Sequence, residues 1–271
     1  MPWVLRGLRE GVVTTTYPRR HDDYGSRFRG AISVVTTSPE EPGTKSASEA
    51  EALASLCPTG AIHPDHMRLP PIRVDRGRCI CCGRCVEARP DRFAFVPDVE
   101  VADVSPVALV VPAASGSDED IRVARSELHQ RVRALRRSIH IRHVDAGSDG
   151  AEEAEIAALT GPIYDIQRLG MFFTATPRHA DILLVTGVGT AGMAEELRRT
   201  FDAMPGPKVV VAAGTDAISG GMVGRTYASA GGIGSLLPAD VLVPGSPPSP
   251  FSLLHGLLLA VGLLPGPEGR R

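Results

Sequence analysis

All five cysteines of this 271-residue chain fall between positions 57 and 85, and residues 86–271 contain none. They are Cys57, Cys79, Cys81, Cys82 and Cys85. Met1 to Arg6 lack the apolar block of a secretory signal, and no stretch of about 18 apolar residues occurs. The longest apolar candidate, Pro250 to Leu264, is too short to span a bilayer and carries His255. The chain is therefore expected in the cytoplasm, where disulfides are rare and clustered thiols point to a metal centre. Zinc usually requires two C-x2-C knuckles or added histidines. In this chain one run, Cys79-x2-Cys82-x2-Cys85, is joined by a remote Cys57 followed by Pro58.

That arrangement resembles bacterial two-cluster ferredoxins, whose C-x2-C-x2-C-x3-C-P run gives three ligands to one cluster and its fourth to the other. The second run of this chain has Cys79, Cys82 and Cys85, then Arg89-Pro90 where the fourth Cys-Pro should stand. The first run survives only as Cys57-Pro58, with Leu53, Ala50 and Ala47 at the earlier positions. One quartet (47, 50, 53, 89) is wholly lost and the other (57, 79, 82, 85) is complete. The expectation is one [4Fe-4S] cluster on Cys57, Cys79, Cys82 and Cys85, with Cys81 surplus and turned away from the iron. Zinc and free thiols are the alternatives. Gly60 and Gly83 suit a loop whose backbone N–H groups reach the sulfurs.

Lys and Arg number 29 against 31 Asp and Glu, a formal net charge of -2, which removes the electrostatic case for a nucleic-acid partner. Aromatic residues make up only 4%, so aliphatic side chains must build the core. Residues 1–37 open with an amphipathic piece (Trp3, Val4, Leu5, Leu8), either a capping helix or one resting on a membrane surface. Residues 38–46 read as a surface loop. A helix is expected from Asp118 to about Arg137, with the apolar stripe Ile121, Ala124, Leu128, Val132 and Leu135. Strands at 139–144, 181–186, 208–213 and 240–243 alternate with helices at 193–204 and 251–263, which implies a parallel sheet with ligands past its carboxyl ends. Gly187-Val-Gly189 and Gly231-Gly-Ile-Gly234 lack the G-x-G-x-x-G fingerprint and read as turns. His140 and His143 alternate around the buried face of a strand, and at least one is expected to be structural.

Five segments carry a family resemblance: Ile139 to Ser148, Gly161-Pro-Ile-Tyr-Asp165, Pro177 to Gly187, Gly214-Thr-Asp-Ala-Ile-Ser-Gly-Gly221 and Pro244-Gly-Ser-Pro-Pro248. In order and spacing they resemble the 20 kDa-type small subunit of complex I and of group 4 [NiFe] hydrogenases, the formate hydrogenlyase type included. Tyr17-Pro18, Phe28-Arg29-Gly30, Cys57-Pro-Thr-Gly-Ala-Ile62 and Cys79-Ile-Cys-Cys-Gly-Arg-Cys85 resemble the ferredoxin-like, 23 kDa-type partner subunit of the same complexes. The chain thus looks like a fusion of the two. The implied α/β architecture is a ferredoxin-like α+β domain over 1–97, a linker over 98–117, and a flavodoxin-like parallel-sheet domain over 118–271.

The resemblance breaks at one set of positions. In that family the second domain holds its own [4Fe-4S] cluster, and the positions matching its four cysteines are Asp149, Glu152, Asp216 and Ser246. Iron–sulfur clusters require thiolates, so the second domain is expected to be cluster-free. Its carboxylates must then meet a cation, exchange hydrogen bonds or bind protons, with Arg142, Arg178 and Arg225 as candidate partners. The implied role is an electron-transfer subunit, with no catalytic site of its own, peripheral on the cytoplasmic face of the inner membrane. Its implied partners are a large subunit related to the 49 kDa or hydrogenase large subunit, and integral membrane antiporter-like subunits. The alternative is a scaffold or redox-sensing subunit of a complex that has lost the usual reaction.

Overall fold

The computed structural model describes residues 2–20, 28–35, 44–65, 71–113, 117–133, 135 and 138–264. Positions 38–43 of the expected loop, and Arg136 and Arg137 of the expected helix, lie outside the described residues. The N-terminal lobe has helix α1 (Pro2–Glu10), strand β1 (Ala31–Val34), helix α2 (Thr44–Ser55), strands β2 (Ile62–Pro64) and β3 (Ile72–Asp75), helix α3 (Arg84–Ala88) and strands β4 (Phe93–Val96) and β5 (Val110–Val111). Strands β1 and β4 pair antiparallel, and β2-β3-β5 form a second small antiparallel sheet. Their core is Ile32, Ala50, Leu53, Ile62, Ile72, Val74 and Phe93, packed against Cys57, Cys79 and Cys85. Ala50 and Leu53, two of the positions where the ferredoxin resemblance would put cysteines, are buried apolar core. Arg89, a third such position, pairs with Glu49 and Asp91.

The C-terminal lobe follows helix α4 (Ser117–Val132) with β6 (Ile139–Asp145), α5 (Ala151–Ala158), β7 (Met171–Phe173), β8 (Ile182–Thr186), α6 (Ala194–Asp202), β9 (Val209–Ala213), α7 (Thr215–Ser219), β10 (Val241–Val243) and α8 (Pro250–Ala260). The sheet is wholly parallel, in the order β10-β9-β8-β6-β7. Every residue of β8 and β9 is buried, because helices cover both faces of a parallel sheet. Successive side chains then divide between two cores. Ile182 and Leu184 join α4 and α8, whereas Leu183 and Val185 join α6 and Leu109 from the other lobe. Helix α8 is buried nearly all round. Its Phe251 meets Tyr17 and Tyr164 edge-on, at ring separations of 5.9 and 5.1 Å.

The segment between the lobes is packed into both. Val101 and Ala102 are buried, and Asp103 and Leu242 exchange backbone hydrogen bonds of 3.0 and 2.8 Å. Leu109 enters the second core, and Val110 and Val111 extend the N-terminal sheet. Helix α1 leaves its apolar side chains unburied, with Trp3 74% and Leu8 77% exposed, so it caps none of the described residues.

Candidate iron–sulfur site and the carboxylate pocket beside it

Cys57 lies in the turn after α2, and Cys79, Cys82 and Cys85 run from the turn after β3 into α3. All four line one small pocket, walled by Ile32, Ile62 and Val74. Cys81 does not line it. Its backbone takes a left-handed φ of +51°, and its side chain lies toward the Gly30 carbonyl beside Arg76 and Gly245. Backbone donors converge on the sulfurs: Ala61 N–H reaches Cys57 Sγ at 3.2 Å and Cys81 N–H reaches Cys79 Sγ at 3.4 Å. Thr59 Oγ1 stands 3.5 Å from Cys57 Sγ.

Crowding and burial favour the protonated form of two of these thiols. Cys79 is raised first by its hydrogen bond with Cys81 and then by burial, and Cys85 is pushed up to about 11 by burial and the neighbouring Cys79. Iron binding must therefore displace protons, as at any thiolate site. Among the described residues no three His, Cys, Asp or Glu side chains stand close enough to share one metal ion. A four-iron cubane spreads its thiolates around a larger body, so a shared pocket with sulfur-directed N–H groups is the arrangement that fits it.

The cysteine loop leans on the second lobe through α7. The Thr215 hydroxyl donates to the Cys79 carbonyl at 3.1 Å and accepts from Gly245 N–H at 3.3 Å. Ser219 Oγ donates to the Gly77 carbonyl at 2.9 Å. The neighbour of Thr215 is Asp216, one of the four positions that the family resemblance aligns with cysteines.

Asp149, Glu152 and Asp216 come together past the carboxyl ends of β6 and β9, and Ser246 stands apart. Ser246 is exposed and borders a cavity of about 630 Å³ between the lobes, together with Cys81, Tyr17, Tyr164 and Phe251. Asp149 is exposed and its Oδ1 accepts the Ala151 N–H at 2.9 Å. Glu152 is 2% exposed at the start of α5. Burial, reinforced by Asp216, Asp149 and Glu153, pushes its carboxyl up to about 7. Burial and Asp149 likewise raise Asp216.

The arginines expected to answer these acids do not. Arg178 and Arg225 are exposed, Arg142 keeps a buried Nε with no hydrogen-bond partner, and none of the three forms an ion pair with Asp149, Glu152 or Asp216 among the described residues. A shared divalent cation is equally unsupported by the spacing. Sequence reasoning also missed Ser148, Glu153 and Thr186, which tie this pocket to His143. Their polar side chains sit at strand and helix ends like many surface residues, and no spacing signal marks them.

Two family models match parts of the chain. A model of the NADH ubiquinone oxidoreductase 20 Kd subunit matches residues 150–260, and a model of a 4Fe-4S single cluster domain matches residues 72–133. The chain is 37% identical over 141 residues to a probable membrane-bound hydrogenase subunit of Pyrococcus furiosus, covering 51% of this chain and 84% of that one. The chain belongs to the 20 Kd subunit family. It is also 36% identical over 154 residues to formate hydrogenlyase subunit 7 of Escherichia coli, covering 57% of this chain and 59% of the length of that relative. Among solved structures it is similar to a chain of the membrane-bound sulfane sulfur reductase, an archaeal respiratory membrane complex. That likeness has a TM-score of 0.43 and 27% identity, over 49% of this chain and 73% of the other. The expected combination of a 20 Kd-type domain with a 4Fe-4S domain is thus found, on a mixed α/β fold with a five-stranded parallel sheet.

Proposed function

We propose that this chain is the electron-transfer subunit of a membrane-associated, complex I-like or group 4 hydrogenase-like oxidoreductase. It carries one [4Fe-4S] cluster on Cys57, Cys79, Cys82 and Cys85. It docks a large catalytic-type subunit through a cluster-free C-terminal lobe, and integral membrane antiporter-like subunits complete the complex. The observation that carries the reading is the contrast between two quartets. Four cysteines share one pocket in the front lobe, while the matching family positions behind hold Asp149, Glu152, Asp216 and Ser246. A cluster in the front pocket would supply one-electron redox chemistry. The chain's own residues hold and tune that pocket: Ile32, Ile62 and Val74 limit water, and the Ala61 and Cys81 N–H groups stabilise negative charge on sulfur. The relatives named as membrane-bound hydrogenase and formate hydrogenlyase subunits support the assignment to such a complex. No described helix is long and apolar enough to cross a membrane. The chain lies peripherally on the cytoplasmic face of the inner membrane in this reading, and exposed Trp3, Leu5 and Leu8, beside Arg6 and Arg9 on α1, support contact with a membrane surface.

The test is iron and acid-labile sulfide content of anaerobically purified full-length protein, with EPR of the reduced sample. Four irons per chain are expected, and about eight would show that the rear lobe is loaded as well. Cys57→Ala should abolish the signal and Cys81→Ala should keep it. The reverse pattern overturns the ligand assignment.

A further inference from the structure

The replaced cysteine positions have become something with a proton inventory of its own. Glu152 is 2% exposed, and its Oε1 receives no hydrogen bond from another residue among those described. That oxygen faces Gly214, where an added Cβ would stand only 2.5 Å from it. The other oxygen, Oε2, lies 3.4 Å from Ser148 Oγ.

Ser148 has one proton to give. Its hydroxyl lies 2.5 Å from Glu153 Oε2 and donates there, while the Gly150 N–H, at 2.9 Å, occupies one of its lone pairs. The Ser148 hydroxyl also stands as donor toward Glu152 Oε2, so its single hydrogen is shared between two carboxyl groups, the closer contact being the one to Glu153. The same count applies one step on. Thr186 Oγ1 donates to Glu153 Oε1, so His143 Nε2, 3.0 Å from Thr186 Oγ1, must be the donor in that pair. Glu153 thus stands against both hydroxyls, and His143 Nε2 also lies 3.4 Å from its Oε1. His143 keeps 23% of its side chain exposed and Glu153 27%, so the chain of contacts meets solvent at both residues.

We propose that the former cluster pocket is a proton-binding site, in which Glu152 holds the proton and Ser148, Glu153, Thr186 and His143 form the hydrogen-bonded route by which it exchanges. One proton enters at His143 and one arrives at Glu152. Thr186, Glu153 and Ser148 each end with the protons they began with, and no electron moves.

The surroundings agree with this placement. Asp149, Glu153 and Asp216 face Glu152, and all three oppose its ionisation. Helix α8, packed on α5, offers His255 as its only titratable group, and that Nδ1 accepts the Ala102 N–H. Strands β8, β9 and β10 contribute no charged side chain. The N-terminus of α5 and the Glu152 amide favour the anion, but burial and the three acids outweigh them and place its titration near neutral pH. The proposal stands whether or not the front lobe carries a cluster.

The test is infrared spectroscopy of the full-length protein, titrated from about pH 5 to about pH 9 across the range where ordinary carboxyls are already ionised. The carboxylic-acid carbonyl band, which a carboxylate lacks, should be present at the acid end and vanish with a midpoint near neutrality. Glu152→Gln should remove it. In Ser148→Ala the band should remain, but exchange of its proton with deuterated solvent should slow by about tenfold or more, as expected when one member of a proton-transfer chain is lost. Absence of the band in the parent protein overturns the proposal without recourse to any variant. A band that survives Glu152→Gln assigns the proton to another acid. Unchanged exchange in Ser148→Ala overturns the route.

Discussion

Thr215→Val removes one oxygen from the contact between the cysteine loop and the rear lobe and leaves the shape of the side chain intact. Thr215 is fully buried. Its hydroxyl both donates to the Cys79 carbonyl and accepts from the Gly245 N–H. Valine fills the same volume but leaves both backbone groups without their partner, and each orphaned group costs about 1–3 kcal/mol. The Gly245 contact, at 3.3 Å, belongs at the low end, so the sum is about 3 kcal/mol. In a chain of this size that lowers Tm by roughly 6–12 °C. The control is Thr215→Ser, which keeps the hydroxyl and loses one buried methyl, for about 1 kcal/mol or roughly 2–4 °C. The assay is calorimetry of anaerobic protein at one fixed scan rate, since irreversible unfolding makes Tm rate-dependent. Equal losses in the two variants would refute the reasoning, because packing of the methyl would then account for both. The same outcome follows if valine lowers Tm by less than about 2 °C.

Glu152 makes stability depend on pH in an unusual direction for a carboxylate. Its folded value, about 7, lies above the ordinary 4.5, so between these values the folded chain holds a proton that the unfolded chain has lost. Stability should therefore fall by about 3 kcal/mol as pH rises from about 4.5 to about 7, and then level off. Urea midpoints of the parent and of Glu152→Gln, compared across that range, should diverge accordingly, and parallel curves would exclude the raised carboxyl. Gly187→Ala should unfold or misplace the pocket loops. Its φ is +82° and a Cβ would lie 2.4 Å from the Gly147 and Ser148 backbone, so circular dichroism should show loss of folded protein at ordinary temperature. Leu184→Ala, at a fully buried strand position, should destabilise by about 2–5 kcal/mol in chemical denaturation without altering iron content.

Hydrophobic runs and cysteine spacing are local signals, and they carried a large part of the architecture. Strands β6, β8, β9 and β10 and helices α4, α6 and α8 lie close to their expected positions, because buried parallel strands are continuous aliphatic runs. Strand β7 was not legible: Met171, Phe172 and Phe173 are too few to show a period, and only pairing with β6 makes them a strand. The short helices α5 and α7 escaped notice for the same reason. Residues 38–46 read as loop, yet α2 begins at Thr44, where the buried Ala50 and Leu53 further along supply the packing that a Ser- and Glu-rich start does not advertise.

The amino-acid order alone determined which residue types are available. It provides thiols at the front and oxygen ligands at the rear, with aliphatic runs long enough for a covered parallel sheet, because these follow from composition and spacing. Only the tertiary structure decided what the rear acids do. The expected arginines stay away, Asp149, Glu152 and Asp216 gather at the strand ends, and Ser148, Glu153 and Thr186 join them to His143. Charge and proton affinity depend on distance and burial, and those exist only once β6, β8, β9, α5 and α7 have been brought side by side.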